Sequence, residues 1–141
     1  KIVTVTQGWS ESYGLFTDGE ADVVLSYTTS PAYHIIAEED LTKSAAIFEE
    51  GHYFMVELAA KLTTTDQPDL ADAFMAFILP EDFQTMIPTT NWSFPAALTE
   101  DKWPAGFQDL PMPETVLFYD ENEAAALRDK AIEAWRSALS Q

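Results

Sequence analysis

Four aromatic side chains stand where this chain reverses direction: Trp9, Tyr27, Tyr33 and Trp92. Their settings are Gly8-Trp9-Ser10, Ser26-Tyr27-Thr28-Thr29, Ser30-Pro31-Ala32-Tyr33 and Thr90-Asn91-Trp92-Ser93, each with hydroxyl or amide groups close by. Ring faces carry the negative part of the quadrupole, so rings on polar turns can stack on a flat ligand and attract a cationic one. A desolvated cation–π contact contributes on the order of 2 kcal/mol, and an aromatic stack about 0.5–1.5 kcal/mol. Micromolar binding needs about 8 kcal/mol, which four such walls approach before entropy losses. A plainer structural reading competes at every position. Trp9 would be a lid over its local core, Trp92 a buried anchor for its loop, and the two tyrosines ordinary half-buried aromatics.

No catalytic constellation stands beside them. The chain has no Gly-x-Ser-x-Gly and no His-Glu-x-x-His, and its five scattered glycines supply no phosphate-cradling loop. The acidic pairs Glu38-Glu39, Glu49-Glu50 and Glu81-Asp82 are what a strongly acidic chain produces by chance. The two histidines, His34 and His52, are isolated, with no acidic cluster at ligand spacing, so no metal site is expected. His34 reads as structural or exposed and His52 as solvent-facing. With no cysteine, thiol catalysis, thiolate metal ligation and disulfides are unavailable. Binding is therefore more economical than catalysis, and no enzymatic role is expected.

Twenty-four acidic residues against seven basic ones give a net charge of −17. A nucleic-acid interface needs a basic face, and an anionic membrane surface needs the same, so both partners are excluded. A cationic ligand is favoured by the overall field, within the screening length of about 8–10 Å at physiological salt. At 141 residues the chain is one domain or part of a larger one, and it holds no apolar run long enough to span a bilayer. It opens at Lys1 without an initiator methionine or a signal peptide, so a processed or partial polypeptide is expected.

The elements that must position the rings read as α/β. Residues 2–5 suggest a strand. Ser10 or Ser12 would cap a short helix ending near Asp18-Gly19. Val23, Val24 and Leu25 form a β-branched run that suggests a strand buried on both faces. Ser30 followed by Pro31 reads as a helix N-cap and first-turn proline, opening a helix to about residue 39. Strand, polar turn and helix N-terminus is the arrangement by which open α/β sheets present a ligand site. Residues 45–48 and 53–60 read as two strands joined by a turn at 49–52. Residues 68–79 form an amphipathic helix whose Leu70, Phe74, Phe77 and Ile78 face the core. A short helix over 81–87 is stopped by Pro88, and 89–95 is a loop. Residues 98–113 are irregular, with Trp103 and Phe107 clamped on the surface. A short strand over 115–118 precedes a last helix from Asp120 to about Ser140, whose single apolar stripe would dock on a parent body.

The segments Gly8 to Phe16, Asp22 to His34 with its Ser26-Tyr27-Thr28-Thr29-Ser30-Pro31-Ala32-Tyr33 run, Gly51-His52-Tyr53, and Ile87-Pro88-Thr89-Thr90-Asn91-Trp92 together resemble the periplasmic thiamine-binding family of bacterial ABC importers. The likeness covers nearly the whole chain but only the C-terminal half of that family's longer protein. It implies the C-terminal part of a two-lobed type II periplasmic-binding fold, an incomplete fragment, with 1–25 in the second lobe and 26–141 in the first lobe plus the docking terminal helix. It implies thiamine, thiamine monophosphate or thiamine diphosphate as ligand, with no cofactor and no bound metal. Trp9, Tyr27, Tyr33 and Trp92 match the family's aromatic site residues and would line the cleft. Tyr33 would stack on the aminopyrimidine, and the other three would wall the thiazolium and the tail toward phosphate. The partners implied are the ABC permease and ATPase subunits, and the location is the periplasm. Unpaired strand edges in such a fragment would favour self-association.

Three other readings stay open on residues alone. The same fold with another small solute is one, ferric ion held by Tyr27 and Tyr33 being the example. A hydrolase or transferase using acidic residues is the second, and a purely structural interaction domain the third.

Overall fold

A computed structural model describes residues 2–139, which fall into two compact units. The first unit comprises residues 2–26, 51–54 and 115–139, and the second residues 27–50 and 55–114. Lys1, Ser140 and Gln141 lie outside the described residues, and with them the first residue of the expected 1–25 segment and the end of the last expected helix.

In the first unit, helix α1 runs Trp9–Thr17 with Gly8 as N-cap. Neither Ser10 nor Ser12 caps it. The Ser12 hydroxyl lies 2.5 Å from the Thr6 hydroxyl, and the reach-back comes from Glu11, whose Oε2 accepts the Gln7 N–H at 3.0 Å. The helix closes as its sequence foretells. Gly19 takes φ +77, the Glu20 N–H donates to the Leu15 carbonyl at 2.8 Å, and the Gly19 N–H donates to that of Phe16 at 3.2 Å. That pair of bonds is the Schellman closure a glycine permits. Helix α7, Glu121–Leu139, opens on a capping box. Asp120 Oδ1 accepts the N–H groups of Asn122 and Glu123, and Glu123 Oε2 accepts the Asp120 N–H. No residue of α7 is buried; Leu127 and Trp135 on its apolar stripe are exposed.

The sheet differs from expectation. Among the described residues the one ladder joins β1, His52–Tyr53, to β2, Val116–Leu117, in parallel, with His52 opposite Val116. The expected strand over 115–118 is present in its central pair. The expected pairing of 45–48 with 53–60 is not, and His52 is half-buried in a strand rather than solvent-facing at a turn. Residues 2–5 and 23–25 join no ladder, and Val23 and Leu25 are 81% and 88% exposed rather than buried on both faces. Alternation and β-branching create the apolar stripe of a strand, but a ladder also needs a partner strand. Gly51 sets the approach of β1 to β2. It has φ +111, and a Cβ there would sit 2.9 Å from Thr115 Cγ2 and 3.0 Å from the Thr115 carbonyl oxygen.

The second unit is built on helix α2, Ser30–Ala37. Its N-cap is Thr29, one residue earlier than expected, with Pro31 still in the first turn. The turn before it closes on itself. The Ser30 N–H donates to the Tyr27 carbonyl at 3.0 Å, and Ser30 Oγ accepts the Tyr27 N–H at 3.3 Å. At the other end Glu39 turns left-handed with φ +56, so the N–H groups of Glu38 and Asp40 both reach the His34 carbonyl.

Helix α3, Pro68–Phe77, and helix α4, Glu81–Gln84, lie where helices were expected, each ending before the expected 79 and 87. The stripe of α3 is exposed, however: Leu70, Phe74 and Phe77 face out rather than into a core, and Phe77 meets Phe83 of α4 edge-on. Pro88 does not end a helix. It sits in the first turn of α5, Ile87–Thr90, where its missing N–H would have had no partner anyway. The stretch expected to be irregular contains a 3-10 turn, Glu100–Lys102, and α6, Ala105–Gln108.

Phe107 of α6 is the centre of the core, not a surface clamp. It is fully buried with Ala32 of α2 and Leu110, and Ile36, Trp92, Phe94 and Trp103 pack around them. Gly106 allows the α2–α6 approach, since a Cβ there would lie 2.7 Å from Ile36 Cγ1.

Candidate functional site

In the second unit, two of the four aromatic residues meet. Tyr33, on the second turn of α2, and Trp92, just past α5, have ring centroids 5.1 Å apart with planes 88° apart. Such an edge-to-face pair is worth about 0.5–1.5 kcal/mol beyond its buried area. Tyr33 also meets the His34 ring edge-on at 5.3 Å. Ala32, on the buried side of α2, is wholly inside, which turns Tyr33 outward; it is 39% exposed. Trp92 is half-buried against the core yet takes φ +52, a left-handed backbone that bulky residues rarely adopt. Tyr27 belongs to the turn that opens α2 and is 51% exposed.

In the first unit, Trp9 opens α1 and is 47% exposed. Its indole N–H donates to Ser26 Oγ at 2.9 Å, and its ring stacks on Tyr13 at 4.7 Å. Ser26 thus fixes the indole orientation while part of the ring stays in solvent. None of the four rings is swallowed by a hydrophobic interior. Trp92 is half-buried, packed against the core as an anchor for its loop.

Sequence reasoning missed what holds Trp92. Asn91 Nδ2 donates to Glu57 Oε2 at 3.0 Å and to Ser93 Oγ at 3.3 Å, and Ser93 Oγ donates to the Asn91 carbonyl at 3.2 Å. Asn91 is legible in the sequence as one polar residue among several, whereas Glu57 reads only as the polar face of a strand.

His34 is structural, 1% exposed, with Nδ1 2.6 Å from Glu38 Oε2 one turn later. The fold also brings Asp40 in, so ligand atoms of His34, Glu38 and Asp40 lie within 4.8 Å of one another. That corrects the expectation of no acidic cluster near this histidine. Asp40 already has partners: Oδ1 accepts the Thr42 N–H at 2.7 Å, and the Lys43 ammonium lies 3.7 Å from Oδ2. Hydrogen bonds from Thr42, side chain first and backbone second, hold the Asp40 carboxyl below its ordinary value of 3.8.

No family model matches the chain. A thiamine-binding periplasmic protein of Salmonella typhimurium (strain LT2) is 50% identical over all 141 residues, as is one of Escherichia coli (strain K12), and one of Brucella abortus biovar 1 is 48% identical. This chain is similar, from end to end, to thiamine-binding periplasmic proteins. It spans 42% of the length of each of these relatives. A solved periplasmic thiamin binding protein superposes with a TM-score of 0.87 at 50% identity, covering 99% of this chain and 43% of that one. The α/β fold expected from the sequence, part of a two-lobed periplasmic binding protein, is therefore the fold of this thiamin-binding neighbour over nearly every residue. These thiamine-binding relatives are named as binding proteins and not as enzymes, and none of them is named for iron. No helix among the described residues is long and apolar enough to cross a membrane.

Proposed function

We propose that the full-length protein carrying this chain is the solute-binding component of an ABC importer. It binds thiamine or its mono- or diphosphate in the periplasm and delivers it to a membrane permease driven by an ATPase subunit. The observation that carries this reading is the 50% identity over the whole chain to thiamine-binding periplasmic proteins. Its role is binding without turnover.

The ligand-contacting residues proposed are Trp9, Tyr27, Tyr33 and Trp92. What supports them is the exposure of Trp9, Tyr27 and Tyr33 and the fixed geometry of Trp9 and of the Tyr33–Trp92 pair. The thiazolium of thiamine is a flat cation, the kind of group that ring faces attract, and a net charge of −17 favours its approach. Residues 1–25 are proposed to belong to the second lobe of the full-length fold, and residues 26–141 to the first lobe plus its docking terminal helix.

Calorimetry of the full-length protein with thiamine, thiamine monophosphate and thiamine diphosphate tests the reading. Saturable binding of at least one of them is expected. Binding of none, or a tyrosinate colour on adding ferric ion, contradicts it.

A further inference from the structure

The loop that presents Trp92 is held in a conformation its own residue disfavours. Trp92 has φ +52, where Cβ crowds the backbone of any residue but glycine. Conformations of this kind persist where surrounding bonds over-determine them, and they gather at ligand sites. The bonds are visible on both sides of Trp92. Asn91 ends α5, its N–H donating to the Ile87 carbonyl at 2.9 Å. Its amide then gives one hydrogen to Glu57 Oε2 and the other to Ser93 Oγ, and Ser93 Oγ returns a bond to the Asn91 carbonyl. The residues before and after Trp92 are therefore tied to each other, and Asn91 is tied also to the extended segment bearing Glu57. Packing on the core fixes one side of the indole, and Tyr33 meets it edge-on.

We propose that Asn91 is a positioning residue for Trp92, and that Glu57 serves as the acceptor that locks Asn91 in place rather than as a charge offered to the ligand. The effect on ligand affinity rests on the thiamine reading above; the effect on ring geometry does not. Two opposing roles for Glu57 make different demands. An acceptor can be replaced by any group with an oxygen in the same place, so Glu57→Gln keeps the bond from Asn91 Nδ2. A charge partner for a cation cannot, so Glu57→Gln would then be as damaging as Glu57→Ala.

The experiment has two arms. In the first, the full-length protein is labelled with 5-fluorotryptophan and the Trp92 fluorine resonance is assigned with Trp92→Phe. Asn91→Ala and Glu57→Ala are expected to shift or broaden that resonance, with those of Trp9 and Trp135 in place and Glu57→Gln like the parent. In the second, thiamine is titrated into the full-length protein and the same variants. Asn91→Ala and Glu57→Ala are expected to weaken binding roughly tenfold, with Glu57→Gln within about twofold of the parent. A Trp92 resonance unmoved by Asn91→Ala overturns the proposal, and so does a Glu57→Gln variant as impaired as Glu57→Ala. If Asn91→Ala loses its folded spectrum, the Glu57→Ala and Glu57→Gln pair decides alone. If no protein binds thiamine, the parent included, the ligand reading fails while the fluorine arm still decides the positioning.

Discussion

Tyr33 and Trp92 lie far apart in the chain, yet their rings meet at 5.1 Å and almost at right angles. Two separate devices produce the meeting. Burial of Ala32 against Phe107 and Leu110 rotates α2 so that Tyr33 points away from the core. The left-handed turn at Trp92, pinned through Asn91, brings the indole back onto that same helix.

The α2–α6 contact beneath this pair is set by a missing side chain. Gly106→Ala would place a Cβ 2.7 Å from Ile36 Cγ1, 3.0 Å from Ile36 Cδ1 and 3.2 Å from Ile35 Cγ2. Overpacking of this kind costs about 1–3 kcal/mol, more than the roughly 1 kcal/mol that alanine gains over glycine in a helix. Urea denaturation should show Gly106→Ala to be the less stable form. Combined with Ile36→Ala, the loss should be smaller than the sum of the two single losses, because the two positions touch. A Gly106→Ala chain as stable as the parent would contradict the packing described.

Acid stability carries a local signature at Asp40. Its folded value lies below the ordinary 3.8 because Thr42 hydrogen-bonds to the charged carboxylate. A depressed folded value contributes stability that is fully present above 3.8 and is lost as pH falls through the folded value. Asp40→Asn should therefore be less stable than the parent near neutral pH, with the difference narrowing below pH 3.8. Urea midpoints measured across that range check it; a difference independent of pH would tell against the Thr42 bonds.

Several extended stretches, 2–5, 23–25 and 55–60, carry apolar side chains outside any ladder. Unpaired strands of this composition invite pairing with another chain. The isolated 141-residue chain is expected to self-associate, its mass by light scattering rising with concentration and with salt as the net charge is screened. It is also expected to bind thiamine weakly or not at all. A monomer at high concentration with micromolar affinity for thiamine would contradict both.

Helices were the legible part of this sequence, and the reason is local. The Schellman closure at Gly19, the capping box at Asp120 and the proline in the first turn of α2 are each decided within a few residues. Strands depend on partners elsewhere, so 23–25 and 53–60 show strand patterning and yet form little ladder. Phe107 hid in a stretch rich in proline and glycine, where no period marks which side of the chain faces in. The four site candidates were legible by type and setting, aromatic rings on polar turns. The clamp that holds Trp92 was not, because a bond between Glu57 and Asn91 leaves no trace in either residue's neighbours.

Calorimetric titration of thiamine into the full-length protein, Tyr33→Ala, Trp92→Ala and the double variant tests the central claim most directly. Expected are about 2- to 12-fold weaker binding for Tyr33→Ala and roughly 30-fold weaker binding for Trp92→Ala. The two changes should also combine less than additively, by at least about 0.5 kcal/mol, because the rings touch. Thiamine affinity unchanged in both single variants would contradict the claim.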